Sequence, residues 1–357
     1  MALPTSGPIS LNDIRIEIGE SNTVNFSLKD AATGVYSPIN QNSPSRPNGV
    51  APYALSEWYG YDHQYNAAVN TTNLFGNLSG FDKFQGGVLA PNGKIYAIPY
   101  SSNQVLEIDP SNNTTTLFGN YSDFRKWSGG VLAPNGKIYA IPYESNQVLE
   151  IDPTNNTTTL FGSLFGDNKW WGGVLAPNGK IYAIPYNSGK VLEIDPSNNT
   201  TNLFGNLEVE GEWRGGVLAP NGKIYAIPNS SNQVLEIDPT NNTTTLFGSL
   251  NGLTKWSGGV LAPNGKIYGI PNFTNQVLEI DPSNNTTNLF GSLVGNGKWL
   301  GGVLAPNGKI YGIPWESNQV LEISGVNSPD VLGSDANIPS PISGLPSSKY
   351  NEFFNKL

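Results

Sequence analysis

The sequence predicts an all-β chain whose main part is a six-bladed β-propeller, and three observations support this. Gly-Gly-Val-Leu-Ala-Pro-Asn-Gly-Lys-Ile-Tyr begins at Gly86 and returns every 43 residues up to the copy at Gly301. Leu-Phe-Gly keeps the same step from Leu74 to Leu289. The composition, with 41 Gly, 27 Pro and only 13% charged residues, is typical of turn-rich β structure. A period in the forties that is rich in strand and turn residues indicates repeated supersecondary units.

Residues 1–66 differ from the repeats and form a predicted N-terminal module. Ser10-Leu-Asn-Asp13 and Ser27-Leu-Lys-Asp30 each place a serine three residues before a carboxylate, which is the pattern of a capped helix start. We expect short helices at about residues 10–18 and 54–60, with a Pro/Ser/Asn-rich loop at 37–52 between them.

Residues 67–324 hold six copies of one unit with four predicted strands. In the second unit the strands are 114–118, 130–133, 137–141 and 147–151. Asn135-Gly136 predicts a type I′ hairpin turn, and Pro142 ends a strand because it lacks a backbone donor. Four short strands in each 43-residue unit are typical of a propeller blade.

The order of the strands predicts how the ring closes. The array opens with a Leu-Phe-Gly strand at 72–75, and it ends at 319–323 without such a strand after it. If the first strand completes the last blade, no sheet edge is left unpaired. We therefore predict a clasp between 72–75 and the last blade, and the alternative is an open solenoid.

Residues 325–357 form a predicted tail that is rich in Pro, Ser and Gly up to Ser348. The segment 350–357 predicts one or two helical turns. It is either a loose end or a docking peptide for the N-terminal module or a neighbouring subunit.

Comparison of the six units shows where binding specificity would lie. The Ala-Pro-Asn-Gly and Asp-Pro-Ser/Thr-Asn-Asn turns are nearly constant, whereas the segments before Gly-Gly and after Ile-Pro vary. In an antiparallel four-stranded blade these two variable connections lie on the same side, which we call the variable face. Function tends to reside on loops held by a rigid scaffold, so we place binding there.

Aromatic side chains on the variable face are the candidate ligand contacts. One set precedes each Gly-Gly by two residues and, in five of six units, follows a lysine: Phe84, Trp127, Trp170, Trp213, Trp256 and Trp299. Such a row could stack on sugar rings while the adjacent lysine amines hydrogen-bond to sugar hydroxyls, and its regularity fits packing between blades equally well. A second, less regular set offers better candidates for direct contact: Tyr100, Tyr143, Tyr186, Trp171, Arg214 and Trp315. Several similar weak sites would suit a multivalent target.

The sequence contains no recognisable catalytic or metal-binding set. It has no cysteine, and its one histidine, His63, reads as a solvated loop residue. The repeated carboxylates, such as Glu107 and Asp109, are expected at equivalent surface positions rather than as a convergent pair. We therefore predict no catalytic residues, no metal and no cofactor, and a chain that is not an enzyme.

Charge and hydropathy limit the partners. The net charge of -9 and the absence of a basic stripe argue against nucleic acid. No apolar run of about 18 residues predicts membrane insertion, and the first residues lack the pattern of a signal peptide.

Two short motifs carry a resemblance to a known class of proteins. Ser6-Gly-Pro-Ile-Ser-Leu11 and Ala54-Leu-Ser-Glu-Trp-Tyr-Gly60 resemble an N-terminal module of tailed-bacteriophage virion proteins, found in tail fibres and other tail or neck components. The resemblance covers about 60 residues. It implies a virion structural protein, external and oligomeric in the particle, that contacts other virion proteins through the module. The propeller would bind a host-surface glycan or protein. The alternatives are a neck or capsid decoration protein that contacts only virion subunits and, as a third, a polysaccharide hydrolase.

Overall fold

The computed structural model describes residues 72–207 and 212–327, together with residues 3, 10–18, 27–32, 39, 46–47, 55–58 and 61 of the N-terminal part. The chain divides into two compact units, Met1–Leu74 and Phe75–Leu357. His63, the segment 350–357 and most of the loop at 37–52 lie outside the described residues. Among the described helices, none is long and apolar enough to cross a bilayer.

Short helices make up the described N-terminal part: α1 (Leu11–Glu17), α2 (Leu28–Ala32) and a 3-10 turn at Leu55–Trp58. The Asp13 backbone N–H donates to the Ser10 hydroxyl (3.2 Å), and the Asp13 carboxylate accepts from the Ser10 N–H (2.7 Å). The hydrogen bonds from Ser10 lower the pKa of Asp13. The predicted capped helix start is therefore present. Ile14 and Trp58 are fully buried in a small core of their own.

The repeats form six antiparallel sheets. The first consists of β1 (Phe84–Leu89), β2 (Ile95–Pro99), β3 (Val105–Asp109) and β4 (Thr114–Phe118). The later strands follow in the same order: β5 Trp127–Leu132, β6 Ile138–Pro142, β7 Val148–Asp152, β8 Thr157–Phe161, β9 Trp170–Leu175, β10 Ile181–Pro185, β11 Val191–Asp195, β12 Thr200–Phe204, β13 Trp213–Leu218, β14 Ile224–Pro228, β15 Val234–Asp238, β16 Thr243–Phe247, β17 Trp256–Leu261, β18 Ile267–Pro271, β19 Val277–Asp281, β20 Thr286–Phe290, β21 Trp299–Leu304, β22 Ile310–Pro314 and β23 Leu321–Ile323. In each sheet consecutive strands pair, so the predicted propeller fold with 43-residue blades is confirmed.

The constant hairpin differs in detail from its prediction. Of the pair Asn135-Gly136 only the glycine has a positive φ, at 80°, whereas a type I′ turn needs both. Gly136 N–H donates to Ala133 O and Ala133 N–H donates to Lys137 O. These bonds close a three-residue loop with glycine in the left-handed position.

The cores lie between successive blades. The first contains Tyr96, Ile98 and Val105 from one blade, packed against Trp127 and Ile138 from the next. From the second blade onward, the second glycine of the Gly-Gly pair makes this close approach feasible. A Cβ on Gly130 would lie 2.6 Å from Ile98 Cδ1, well inside van der Waals contact.

A buried polar network joins each of the first four blades to the next on the face opposite the variable face. Lys137 Nζ donates to Glu150 (2.8 Å), and Tyr139 OH donates to the same carboxylate (3.1 Å). Asn199, from the following repeat, donates to it as well, at 2.6 Å. Glu150 is 4% exposed, so the expectation that the repeated glutamates lie on the surface was wrong. Burial alone would raise the pKa of Glu150, but the bonds from Lys137 and Asn199 outweigh it and hold that pKa below its ordinary value.

The predicted clasp between residues 72–75 and the last blade is wrong. Five sheets have four strands, but the last, β21-β22-β23, has three. Residues 72–75 belong to no strand, and Leu74 is 98% exposed. Val320 is 63% exposed, whereas its equivalent Val191 in the third blade is fully buried. The outer face of the last blade is thus uncovered in the part of the chain that the structure describes.

Candidate functional site

A β-bulge at the start of each inner strand sets one residue apart on every blade. The pairing shifts register between Trp127 and Gly130, and Gly129 has a φ of 78°. The same shift recurs in the other blades, so the residue after the tryptophan always lies in the bulge. Bulges re-aim side chains and are frequent beside functional sites. The six bulge residues are Gln85, Ser128, Trp171, Arg214, Ser257 and Leu300.

The residue after each Ile-Pro is held between the variable loops of successive blades. Tyr143 N–H donates to Lys126 O (2.9 Å), and Tyr143 O accepts from Lys169 N–H (2.8 Å). These bonds join the two variable connections, so the prediction that both lie on one face is confirmed. We call the residues at this position the belt. Both backbone bonds are present on four blades, and Tyr186 and Trp315 make the N–H bond alone among the described residues. The six belt residues are Tyr100, Tyr143, Tyr186, Asn229, Asn272 and Trp315.

Four aromatic side chains from the bulge and belt positions meet on blades one to three. The ring centroids of Tyr100 and Tyr143 are 6.1 Å apart. Trp171 lies 5.3 Å from Tyr143, edge to face, and 5.9 Å from Tyr186. These separations are those of interacting aromatic pairs.

Arg214, from the bulge of the fourth blade, completes this group. Its guanidinium lies 5.1 Å from the Trp171 ring and 5.3 Å from the Tyr186 ring, within the range of cation–π contacts. One of its Nη atoms donates to the Tyr186 hydroxyl at 3.2 Å. We call Tyr100, Tyr143, Trp171, Tyr186 and Arg214 the aromatic–arginine cluster.

Several polar atoms at these positions are buried and have no hydrogen-bond partner among the described residues. Two belong to the cluster, Trp171 Nε1 and Arg214 Nε. Ser128 Oγ and Ser257 Oγ, in the bulges on either side, and Asn229 Oδ1, in the belt, are also unpaired. Ser128 is 1% exposed and Ser257 is fully buried. Buried polar groups are nearly always paired, so a run of unpaired ones on four consecutive bulges indicates a place where a ligand or water completes the bonding.

Burial raises the pKa of Tyr100 and of Tyr143 above the ordinary value. Their hydroxyls therefore stay protonated near neutral pH, so each can both donate and accept a hydrogen bond. The cluster thus offers neutral aromatic walls beside one permanent positive charge.

On the fourth and fifth blades the belt residues are asparagines instead of tyrosines. The Asn229 and Asn272 side-chain amides each donate to a backbone carbonyl, of Trp256 and Trp299 respectively, at 2.9 Å. Trp315, on the last blade, is 53% exposed and has no ring contact among the described residues. The structure therefore gathers five of the six less regular candidates into one cluster and leaves Trp315 apart.

The regular tryptophan row is not on the surface. Trp127, Trp170, Trp213 and Trp256 are 1% exposed and Trp299 is 5% exposed, and each packs in the core between two blades. The Trp127 indole N–H donates to Gln147 O at 2.9 Å, and its copies make the same bond. These five side chains have no face free for a sugar, so they are corrected from ligand candidates to packing residues. Phe84, in the first blade, is half-buried.

The lysines beside these tryptophans are buried too. Lys169 and Lys255 are 2% exposed, and their amines donate to the backbone carbonyls of Gly166 (2.6 Å) and Gly252 (2.5 Å). Burial lowers the pKa of each to about 8. They are structural donors rather than the ligand contacts that the sequence suggested.

These two lysines predict a pH dependence of stability. Their folded pKa is below the ordinary 10.5, so between pH 8 and 10 the unfolded chain binds more protons than the folded one. The free energy of unfolding should therefore rise with pH across this window. Above pH 10 it should fall again, because burial raises the pKa of tyrosines such as Tyr182 to about 12. Urea titrations from pH 7 to 11 would measure both slopes.

The double variant Lys169→Met/Lys255→Met should flatten the rise, because neither side chain then titrates. Lys190→Met is the matched control, since Lys190 is exposed and should leave the slope unchanged. A rise of equal size in the double variant would contradict the assignment.

No family model matches the chain, and no curated protein matches it. Solved structures do. A selenomethionine-substituted virginiamycin B lyase from Staphylococcus aureus matches with a TM-score of 0.60 at 14% identity, over 70% of this chain and 84% of that one. A catalytically inactive histidine-to-alanine variant of that lyase with quinupristin matches with 0.59 at 13% identity, over 70% and 85%. The extracellular domain of a putative hybrid two-component system from B. thetaiotaomicron matches with 0.53 at 10% identity, over 69% of this chain and 34% of that one.

These likenesses correct one prediction. The chain was expected not to be an enzyme because no catalytic set stands out in its sequence. That deduction was wrong, since the fold it shares is also the fold of lyases. At these identities the likeness shows the fold and assigns no substrate. In the described residues no group of three His, Cys, Asp or Glu side chains could hold a metal ion.

Proposed function

We propose that this chain is a receptor-binding component of a tailed-bacteriophage particle, and that its propeller binds a saccharide of the host surface at the aromatic–arginine cluster. The observation that carries the proposal is the set of aromatic rings and unpaired buried donors gathered on the variable face. The N-terminal module attaches the chain to other virion proteins.

The chemistry of the cluster suits a sugar. Sugar rings present apolar C–H faces, which stack on aromatic side chains, and oxygen atoms, which accept hydrogen bonds. Tyr143, Trp171 and Tyr186 supply the rings within 5.3–6.0 Å of one another. Trp171 Nε1 and Arg214 Nε supply donors that the protein leaves unpaired. The belt of backbone bonds holds these groups in place before binding, which limits the entropy lost on association.

The attachment part of the proposal rests on the N-terminal motifs. The capped start of α1 at Ser10 and the turn at Leu55–Trp58 lie within the two motifs that resemble the virion module. An antibody against the chain should label the exterior of purified particles in electron microscopy. Particles that lack the chain would contradict this part and leave the binding part standing.

The lyase likeness suggests one further measurement. The inactive lyase variant is a histidine-to-alanine change, and the repeats of this chain contain no histidine. The bound saccharide should be recovered and its mass compared with that of the starting material.

The binding part is tested with the full-length chain on an array of bacterial surface saccharides. Trp171→Ala should weaken binding by about tenfold, since it removes a stacking face and its contacts with Tyr143 and Arg214. Phe165→Ala is the matched control, because Phe165 is an exposed aromatic residue of a variable loop outside the cluster. Equal losses in both variants, or no saccharide bound by the wild-type chain, would contradict the site.

A further inference from the structure

The unpaired groups of the cluster indicate the chemical class of its ligand. We propose that the saccharide carries a carboxylate group, which pairs with the Arg214 guanidinium while the sugar ring lies on the neighbouring aromatic side chains. This inference rests on the proposed function and deepens it.

Arg214 carries a positive charge that no described carboxylate pairs with. None of the ion pairs among the described residues includes this arginine; they join the lysine after each Asn-Gly turn to the carboxylates of the same blade. Its nearest acidic neighbour in sequence, Glu212, accepts a hydrogen bond from the Ser230 hydroxyl at 2.8 Å. Within the described part of the chain, the guanidinium contacts neutral groups: the Trp171 and Tyr186 rings and the Tyr186 hydroxyl. A partly buried cation without an anion gains most from an anionic ligand.

The unpaired groups of the cluster are hydrogen-bond donors. Arg214 Nε and Trp171 Nε1 can only donate, so the ligand must supply acceptors to both. A carboxylate has two oxygens that each accept more than one bond, and its pairing with a guanidinium is among the strongest charge-assisted contacts. The hydroxyls of a neutral sugar would satisfy these donors but would leave the positive charge unpaired.

The residue at the bulge position differs from blade to blade. Arginine stands at only one of the six, and the residues beside Arg214 are Trp171 and Ser257. Packing of the blades does not require a charge there, because serine fills the same bulge on the second and fifth blades with full burial. Because only the fourth blade carries an arginine at this position, Arg214 fits recognition of one charged group on the ligand.

The test uses the full-length chain and two oligosaccharides of equal length and linkage, one with a glucuronate residue and one with glucose in its place. Calorimetry at low ionic strength should show the acidic sugar binding at least about tenfold more tightly. Raising the salt concentration should narrow the difference, because screening weakens the ion pair. Arg214→Gln should abolish the preference, and Arg214→Lys should keep part of it.

Lys190→Gln is the matched control, since it removes one positive charge from an exposed side chain outside the cluster. It should leave the preference intact. Equal binding of the two sugars by the wild-type chain, or a preference that survives Arg214→Gln, would overturn the carboxylate inference while saccharide binding stands. Absence of binding by any saccharide would overturn the proposed function itself. If Arg214→Gln fails to fold by circular dichroism, the salt dependence of the wild-type preference and the Arg214→Lys variant decide.

Discussion

Glu150→Ala is expected to lower the free energy of unfolding by about 2–4 kcal/mol. The change removes a buried carboxylate that accepts bonds from Lys137, Tyr139 and Asn199, the last from the following repeat. It leaves an ammonium, a hydroxyl and an amide without their shared acceptor. Denaturation in urea at pH 7, followed by tryptophan fluorescence, would measure the loss.

The last blade provides the control for this experiment. Glu322 makes the same contacts with Lys309 and Tyr311, but its side chain is 45% exposed and no asparagine of a following repeat reaches it among the described residues. Glu322→Ala should therefore lower the free energy of unfolding much less than Glu150→Ala does. Equal losses at the two positions would show that the interblade bond contributes little. Because the pKa of Glu150 is held below its ordinary 4.5, its contribution should be present above that pH and be lost as the pH falls below it.

The sequence predicted the blades because their period is recorded in every copy, but the burial of Glu150 could not be read from the same pattern. The glutamate lies on the third strand of its blade, where an acidic residue normally faces water. It is buried because Asn199, 49 residues later, covers it. A contact between repeats of this kind leaves no local signal in either repeat.

The prediction that the lysines beside the tryptophans lie on a binding surface was wrong for a related reason. Lysine is rarely buried, so an amine next to an indole suggested a binding surface. Lys169 Nζ instead lies 6.0 Å from the Trp170 ring centroid and donates to a backbone carbonyl three residues earlier. The polar end is satisfied locally, which permits the burial.

Part of the candidate site was visible in the sequence. Departure from the repeat marked Trp171 and Arg214, and the tyrosines after Ile-Pro marked the belt. Ser128 and Ser257 gave no signal, since a serine between Trp and Gly-Gly is unremarkable in a turn-rich chain. Their importance comes from the lack of partners for buried hydroxyls, which only the structure reveals.

The missing clasp shows a different limit of the sequence pattern. Because the repeats are nearly identical, the strand at 72–75 matches the strand that is missing after residues 319–323, and this match led to the predicted clasp. Whether the first and last blades meet depends on the angle between neighbouring blades, which the periodicity does not encode.

Val191→Asp and Val320→Asp are therefore expected to differ widely although they change equivalent positions. Val191 is fully buried between the third and fourth blades, so an aspartate there would place an unpaired carboxylate in an apolar core. The loss should be at least about 4 kcal/mol, and much of the chain should be insoluble. Val320 is 63% exposed, and its aspartate should stay hydrated and change stability by less than about 0.5 kcal/mol.

The comparison tests whether the last blade is uncovered in solution. Soluble yield and the urea midpoint of each variant give the stability, and light scattering of the wild-type chain gives the mass. A large loss in Val320→Asp would mean that another blade covers this face. If the wild-type mass is then that of one chain, the array closes on itself; if it is a multiple, a second copy supplies the cover. A small loss in Val320→Asp, together with the mass of a single chain, would establish that the last blade is uncovered. The large loss expected in Val191→Asp rules out the alternative that every blade tolerates aspartate at this position.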